Sequence, residues 1–270
     1  MPTLHDLVTP ESIVLDVDAS DWRAAIRAAG DLLVSAGVSE DSYTESMVGN
    51  VEEHGPYIVV SPGFAFAHAR AAENVHRTGM SWIRLRTPVA FGHAKNDPVT
   101  LVAALAAGNS SDHMDAMRQL AGLLGTPATR QALEGAPTAE LFHAALAEGS
   151  PSTPAAPAEA QGKAAEAPDA GGSRATKDHI LTVCGNGLGT SLFLKNTLEQ
   201  VLDRWGWSPY LTVEATDTIS ARGKSKDADL ILTSGEIART LGDVGIPVKV
   251  ISNFTSTDEV DAALRDSYDI

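Results

Sequence analysis

At 270 residues, 43% of them hydrophobic, the chain is long enough to bury the cores of two ordinary domains. Its formal charge of -15, from 20 basic and 35 acidic side chains, argues against the basic footprint that a nucleic-acid binder needs. One cysteine cannot close an internal disulfide, so a reducing compartment is expected. The N-terminal stretch MPTLHDLVTPESIVLDVD has no basic region followed by an apolar core, so no signal peptide is expected. No apolar run approaches the roughly 18 residues of a membrane span.

Along the first half, DWRAAIRAAGDLLVSAG puts Trp22, Ala25, Ile26, Ala29, Leu32 and Leu33 on one face. That spacing, between Ser20 and Gly37, predicts an amphipathic helix. SYTESMVGNVEEHG predicts a second helix ending near Gly55. YIVVS, GMSWIRLR and VTLVAALAA predict strands, with a turn-rich FGHAKNDP between the last two. Helices follow at SDHMDAMRQLAGLLG, ATRQALEG and TAELFHAALAEG.

From Ser150 to Thr176 the chain is rich in Ala, Pro, Gly and Ser and lacks aromatic residues, Ile, Leu, Val and Met. Such a segment cannot bury enough apolar surface to offset its ordering entropy, which predicts a flexible linker over 150–176. The remainder alternates. Strands are predicted at HILTV, YLTVEA, DLILTS and VKVIS, and helices at SLFLKNTLEQVLDRWG, GEIARTLG and STDEVDAALRDSY. This order implies a parallel sheet covered on both faces, whose ligands bind beyond the carboxyl ends of its strands. The expected class is α/β in two domains, 1–149 and 177–270.

Cys184 stands at such a strand end, before Gly185, Asn186, Gly187, Leu188, Gly189, Thr190 and Ser191. Glycines let main-chain N–H groups approach a ligand, and the helix that follows directs its positive end at the same spot. Both effects are expected to lower the thiol pKa and to suit a phosphate or a nucleophilic thiolate. Thr190 and Ser191 add hydroxyls. A lone cysteine after a strand is more often a small buried hydrophobe, but that role needs no anion-binding turn beside it. A nucleoside-triphosphate loop would need a Gly-Lys-Ser/Thr ending, and the first lysine here is Lys195. A dinucleotide fingerprint would want glycine at 190, although Glu214 and Asp217 lie where a ribose-reading acid would stand. A low-mass cysteine phosphatase would want an arginine about six residues after the cysteine, where Thr190 stands.

The second candidate lies in HGPYIVVSPGFAFAHAR, where a strand is expected to pass through a Pro62–Gly63 turn to His68 and Arg70. Histidine on such a loop suits proton or phosphoryl chemistry, yet most loop histidines serve packing or the surface, and there are eight. No His-x3-His or Cys-x2-Cys spacing occurs, so neither a metal nor another cofactor is expected.

The stretches ILTVCGNGLGTSLFLKNTLEQVL, DADLILTSGEIARTL and VKVISNFTSTDEV resemble enzyme IIB of the bacterial phosphoenolpyruvate:sugar phosphotransferase system, ascorbate branch. VEEHGPYIVVSPGFAFAHAR, NDPVTLVAALAA and SDHMDAMRQLAGLL resemble enzyme IIA of its mannitol/fructose superfamily, again nearest the ascorbate branch. The resemblance implies an enzyme IIA-like mixed α/β sandwich and a flavodoxin/Rossmann-like enzyme IIB domain. It implies a phosphohistidine at His68 and a second active-site histidine at His113. The phosphocysteine would be Cys184, with Gly185 to Ser191 holding the phosphate. Arg70 and His113 are candidates to balance charge during transfer. Proline usually precedes the active histidine of that family, and Ala67 stands here. His54, His93, Asn96 and Asp97 are candidates to border the site, the last two against a simple turn before Pro98; His5, His76, His143 and His179 are expected to serve packing or the surface. The implied partners are the phosphocarrier HPr as donor and a membrane permease, enzyme IIC, presenting a carbohydrate, L-ascorbate by branch. The implied location is the cytoplasm and transiently the inner membrane face, and a homo-oligomer is compatible with it. The rivals are a regulatory phospho-module of the same family and a cysteine phosphatase fused to a second domain.

Overall fold

A computed structural model of the chain describes residues 3–69, 73–148, 178–184 and 189–268. The expected linker at 150–176, Arg70, and Gly185, Asn186, Gly187 and Leu188 lie outside the described residues.

The first unit begins with a capped turn of helix, α1 (Leu4–Leu7), and strand β1 (Ile13–Val17), neither of which the sequence pattern announced. Helix α2 (Trp22–Ser35) starts where the Asp21 side chain accepts from the Ala24 N–H at 2.9 Å. Its buried stripe of Ala25, Ile26, Ala29, Gly30 and Leu33 covers one face of the sheet beside α3 (Asp41–His54). Gly30 is where the two helices approach closely, because a Cβ there would stand 2.3 Å from Thr44 Oγ1.

Strands β2 (Phe64–His68), β3 (Gly79–Val89) and β4 (Val99–Ala106) complete a sheet in the order β1-β3-β4-β2. β1 runs parallel to β3, β3 antiparallel to β4, and β4 parallel to β2. This mixed sheet carries α4 (Ser110–Leu124), α5 (Pro127–Gly135) and α6 (Ala139–Glu148) in its second layer.

Two expectations fail around β2. YIVVS is a turn-rich connection, and the strand is the following FAFAH. His68 is therefore the last residue of a buried strand rather than part of a loop after one. Short apolar runs do not report which of two neighbours pairs. Gly63 decides it, at φ +74, by turning the chain so that its N–H and C=O bond Asn96 and Thr100.

The second unit follows the expected alternation: β5 (His179–Cys184), α7 (Gly189–Trp205), β6 (Thr212–Asp217), α8 (Thr218–Lys224), β7 (Leu230–Thr233), α9 (Gly235–Leu241), β8 (Val248–Val250) and α10 (Thr257–Tyr268). One of these helices, α8, the sequence pattern did not announce. All four strands are parallel, in the order β6-β5-β7-β8. The chain winds outward in both directions from β5, so the carboxyl end of β5, where Cys184 stands, is the switch point at which such sheets hold ligands.

The units meet along α4 and α7. Leu120, Leu123 and Leu124 join Phe193, Leu194 and Leu198 in one apolar cluster, and the rings of Phe66 and Phe193 lie 5.9 Å apart. Two polar links cross near the candidate residues. The Phe254 N–H donates to the Val60 carbonyl at 3.0 Å. The Asn96 amide donates to the carbonyls of Ser252 (2.8 Å) and Val59 (2.9 Å).

Candidate functional site

His68 is delivered by β2, an edge strand held in register by β4, with His68 opposite Leu105. Tyr43, from α3, pins the backbone just beyond it. Its hydroxyl accepts from the Ala69 N–H at 3.0 Å and donates to the Leu105 carbonyl at 2.8 Å. The imidazole lies on Phe66, rings 5.0 Å apart, and its Nδ1 is 3.1 Å from the Phe66 carbonyl oxygen. A carbonyl oxygen only accepts, so Nδ1 carries the proton and Nε2 keeps the lone pair. The side chain is 4% exposed. That burial, with His113 nearby and the Phe66 carbonyl opposing, pulls its pKa down to about 3. The ring is thus a neutral nucleophile through the physiological range.

His113 comes from the first turn of α4, whose start is set by the Asn109 side chain accepting from the Asp112 N–H at 2.9 Å. Its ring centre lies 5.5 Å from that of His68, and burial lowers its pKa too. On another side the Tyr57 ring meets His68 edge-on at 6.1 Å, and His54 lies 6.2 Å beyond Tyr57.

In the second unit Cys184 ends β5 and is 3% exposed. Its thiol donates to Ser191 Oγ at 3.4 Å and lies 4.0 Å from the Thr216 carbonyl oxygen. The expected depression of the thiol pKa does not hold here. Burial pushes the thiol up, and the Asp217 charge adds to this. The Ser191 hydroxyl and main-chain N–H and the Thr190 hydroxyl pull the other way without winning. The sulfur is shut from solvent, yet one main-chain donor from the start of α7 does face it. Gly189 opens that helix.

The structure therefore brings together His68 and His113, and separately Cys184, Thr190 and Ser191. Tyr57, whose ring meets His68, is also within electrostatic reach of Cys184, since the Cys184 charge helps raise its phenol. His93 and Asp97 are occupied elsewhere. Asp97 accepts from the N–H groups of Phe91, Gly92 and His93, and His93 Nδ1 accepts from Asn96, as a simple turn requires. Asn96 spans the units instead. His143 bonds the carbonyls of His5 and Val8, and His76 is exposed near Glu40. Tyr43 and Tyr57 were missed by sequence reasoning; an aromatic with a polar tip inside an apolar run was the available signal. Among the described residues no three His, Cys, Asp or Glu side chains converge as metal ligands would.

Residues 6–149 match the family described as phosphoenolpyruvate-dependent sugar phosphotransferase system, EIIA 2. The chain belongs to this family. Residues 179–266 of this EIIA-family chain match a second description, PTS system, lactose/cellobiose specific IIB subunit, so one polypeptide carries both kinds of unit. Its first half is 40% identical over 113 residues to an ascorbate-specific PTS system EIIA component of Shigella flexneri, covering 42% of this chain and 73% of that protein. A protein of the same description from Salmonella choleraesuis is 36% identical over 141 residues, 52% of this chain and 92% of its own. The solution structure of the mannitol-specific cryptic phosphotransferase enzyme IIA CmtB from Escherichia coli superimposes with a TM-score of 0.50 at 26% identity, covering 54% of this chain and 99% of that one. This EIIA–IIB chain is a phosphotransferase of the phosphoryl relay that drives sugar uptake. Among its described residues no helix is long and apolar enough to cross a membrane.

Proposed function

We propose that His68 and Cys184 are the two phosphoryl carriers of this relay, in an EIIA unit of residues 1–149 and a IIB unit of residues 177–270. Nε2 of His68 takes the phosphoryl group from phospho-HPr, and His113 balances the negative charge that spreads over its oxygens in the transition state. Arg70 stands two residues beyond His68 in sequence and is assigned to the same task. The Cys184 sulfur then attacks phosphorus. The S–P bond forms as the P–Nε2 bond breaks, the ring keeps the released electron pair and its Nδ1 proton, and the thiol proton passes to bulk water beforehand, while the units are parted. Ser191, Thr190 and the residues from Gly185 to Gly189 hold the phosphate on sulfur. From there it passes to a carbohydrate presented by a membrane enzyme IIC. The name of the EIIA relatives supports L-ascorbate as that carbohydrate, while the description matched by the IIB unit names lactose and cellobiose. On this reading the protein works in the cytoplasm at the inner membrane face.

One observation carries the reading. A neutral buried imidazole, with Nδ1 committed to Phe66, lies on the side of its unit that the Cys184 unit covers. The test is peptide mapping after incubation with phosphoenolpyruvate, enzyme I and HPr. Cys184→Ser should accumulate phosphate on His68 and support no sugar phosphorylation. His68→Ala should carry none on either site. Phosphate on Cys184 in His68→Ala would overturn the order.

A further inference from the structure

The Tyr57 hydroxyl is a buried donor to which neither catalysis nor packing has yet given work. The residue is 5% exposed, and among the described residues its oxygen has no hydrogen-bond partner. Leaving such a group dry and unpaired is costly in a folded protein, so each case asks for a reason. The position suggests one. Tyr57 is fixed by a tight turn, its own N–H donating to the Gly55 carbonyl at 2.9 Å and the Val59 N–H to the Pro56 carbonyl at 3.0 Å. Its ring meets His68 edge-on at 6.1 Å, and the charge on Cys184 reaches its phenol.

The geometry points to Tyr57 as a catalytic residue of the His68-to-Cys184 step, its hydroxyl donating a hydrogen bond to a non-bridging oxygen of the phosphoryl group in flight. This rests on the relay proposed above and deepens it. The phenol gives up no proton. It keeps its O–H while P–Nε2 breaks and S–P forms, and it stabilises the oxygen charge in a site from which water is excluded. Burial and the thiolate charge both raise the phenol pKa, which keeps it a donor at any pH at which the relay works. Burial keeps His68 and His113 neutral, so the phenol adds a second uncharged donor beside the His113 N–H rather than replacing it.

Tyr57→Phe in the full chain tests this, since it removes only the oxygen and relieves an unpaired polar atom. With His68 loaded from phospho-HPr, single-turnover transfer to Cys184 should slow by about 10- to 100-fold, the range for a hydrogen bond to a charged group. The thermal midpoint should not fall, and the 31P resonance of phospho-His68 should shift, which a purely structural phenol would not cause. Transfer within about twofold of the parent, with an unmoved 31P resonance, would overturn the assignment while leaving the relay standing. Normal labelling of Cys184 in His68→Ala would overturn the relay and this assignment together.

Discussion

The two proposed carriers, His68 and Cys184, are set at opposite protonation extremes by the same cause. Burial makes His68 a weaker base, with a pKa near 3 against an ordinary 6.5, and makes Cys184 a weaker acid than its ordinary 9.0. Imidazole must be neutral to attack and thiol must be ionised, so burial helps the first and hinders the second. The rate of internal transfer should therefore show no acid limb near pH 6.5 and should keep rising with pH past 9. A single-turnover pH profile checks both signs, and a plateau reached by pH 7 would mean the thiol is depressed after all. The direction of the thiol shift was not legible in the sequence. The glycines and helix start after Cys184 were visible, but the burial of the thiol and its closeness to the Asp217 charge, which comes from the end of another strand, were not. Tyr57 and Tyr43 escaped for a related reason, since their roles depend on which strand end they meet in space.

At the scale of elements, the second unit was nearly transparent because each strand there is a separate apolar run closed by a helix start. The first unit was less so. β1 is five residues long with Asp16 in the left-handed region at φ +59, and it carries no clean alternation to announce it. Around β2, two apolar runs compete, and only the turn at Gly63 and pairing with β4 select FAFAH. The run that lost, residues 57–60, sends hydrogen bonds out to the other unit instead, through Val60 to Phe254 and through Val59 to the Asn96 bridge. That bridge is testable. Asn96→Asp replaces an amide donor with a carboxylate facing two carbonyl oxygens, and should weaken the contact between units by about 1–3 kcal/mol. Loading of His68 from phospho-HPr should persist, while transfer to Cys184 slows by roughly tenfold or more. Equal slowing of both steps would place Asn96 in the fold of the first unit rather than in the contact.

For the whole molecule, the arrangement presents a conflict that the expected tether resolves. With the units together His68 is 4% exposed and Cys184 3%, so neither an outside donor nor an outside acceptor reaches its carrier. On the proposed relay, the chain alternates between this closed contact and a parted state in which each proposed carrier meets its other partner. A covalent tether keeps the second unit at an effective concentration of about millimolar, which makes the return a first-order event. Joining the units in one chain thus removes a dilution penalty that separate EIIA and IIB proteins would face.

Rapid-quench mapping of phosphate on His68 and Cys184, at several protein concentrations after one pulse of phospho-HPr, tests this most directly. Label should appear first on His68 and then move to Cys184 at a rate independent of concentration. Label reaching Cys184 without passing through His68, or never leaving His68, would contradict the relay.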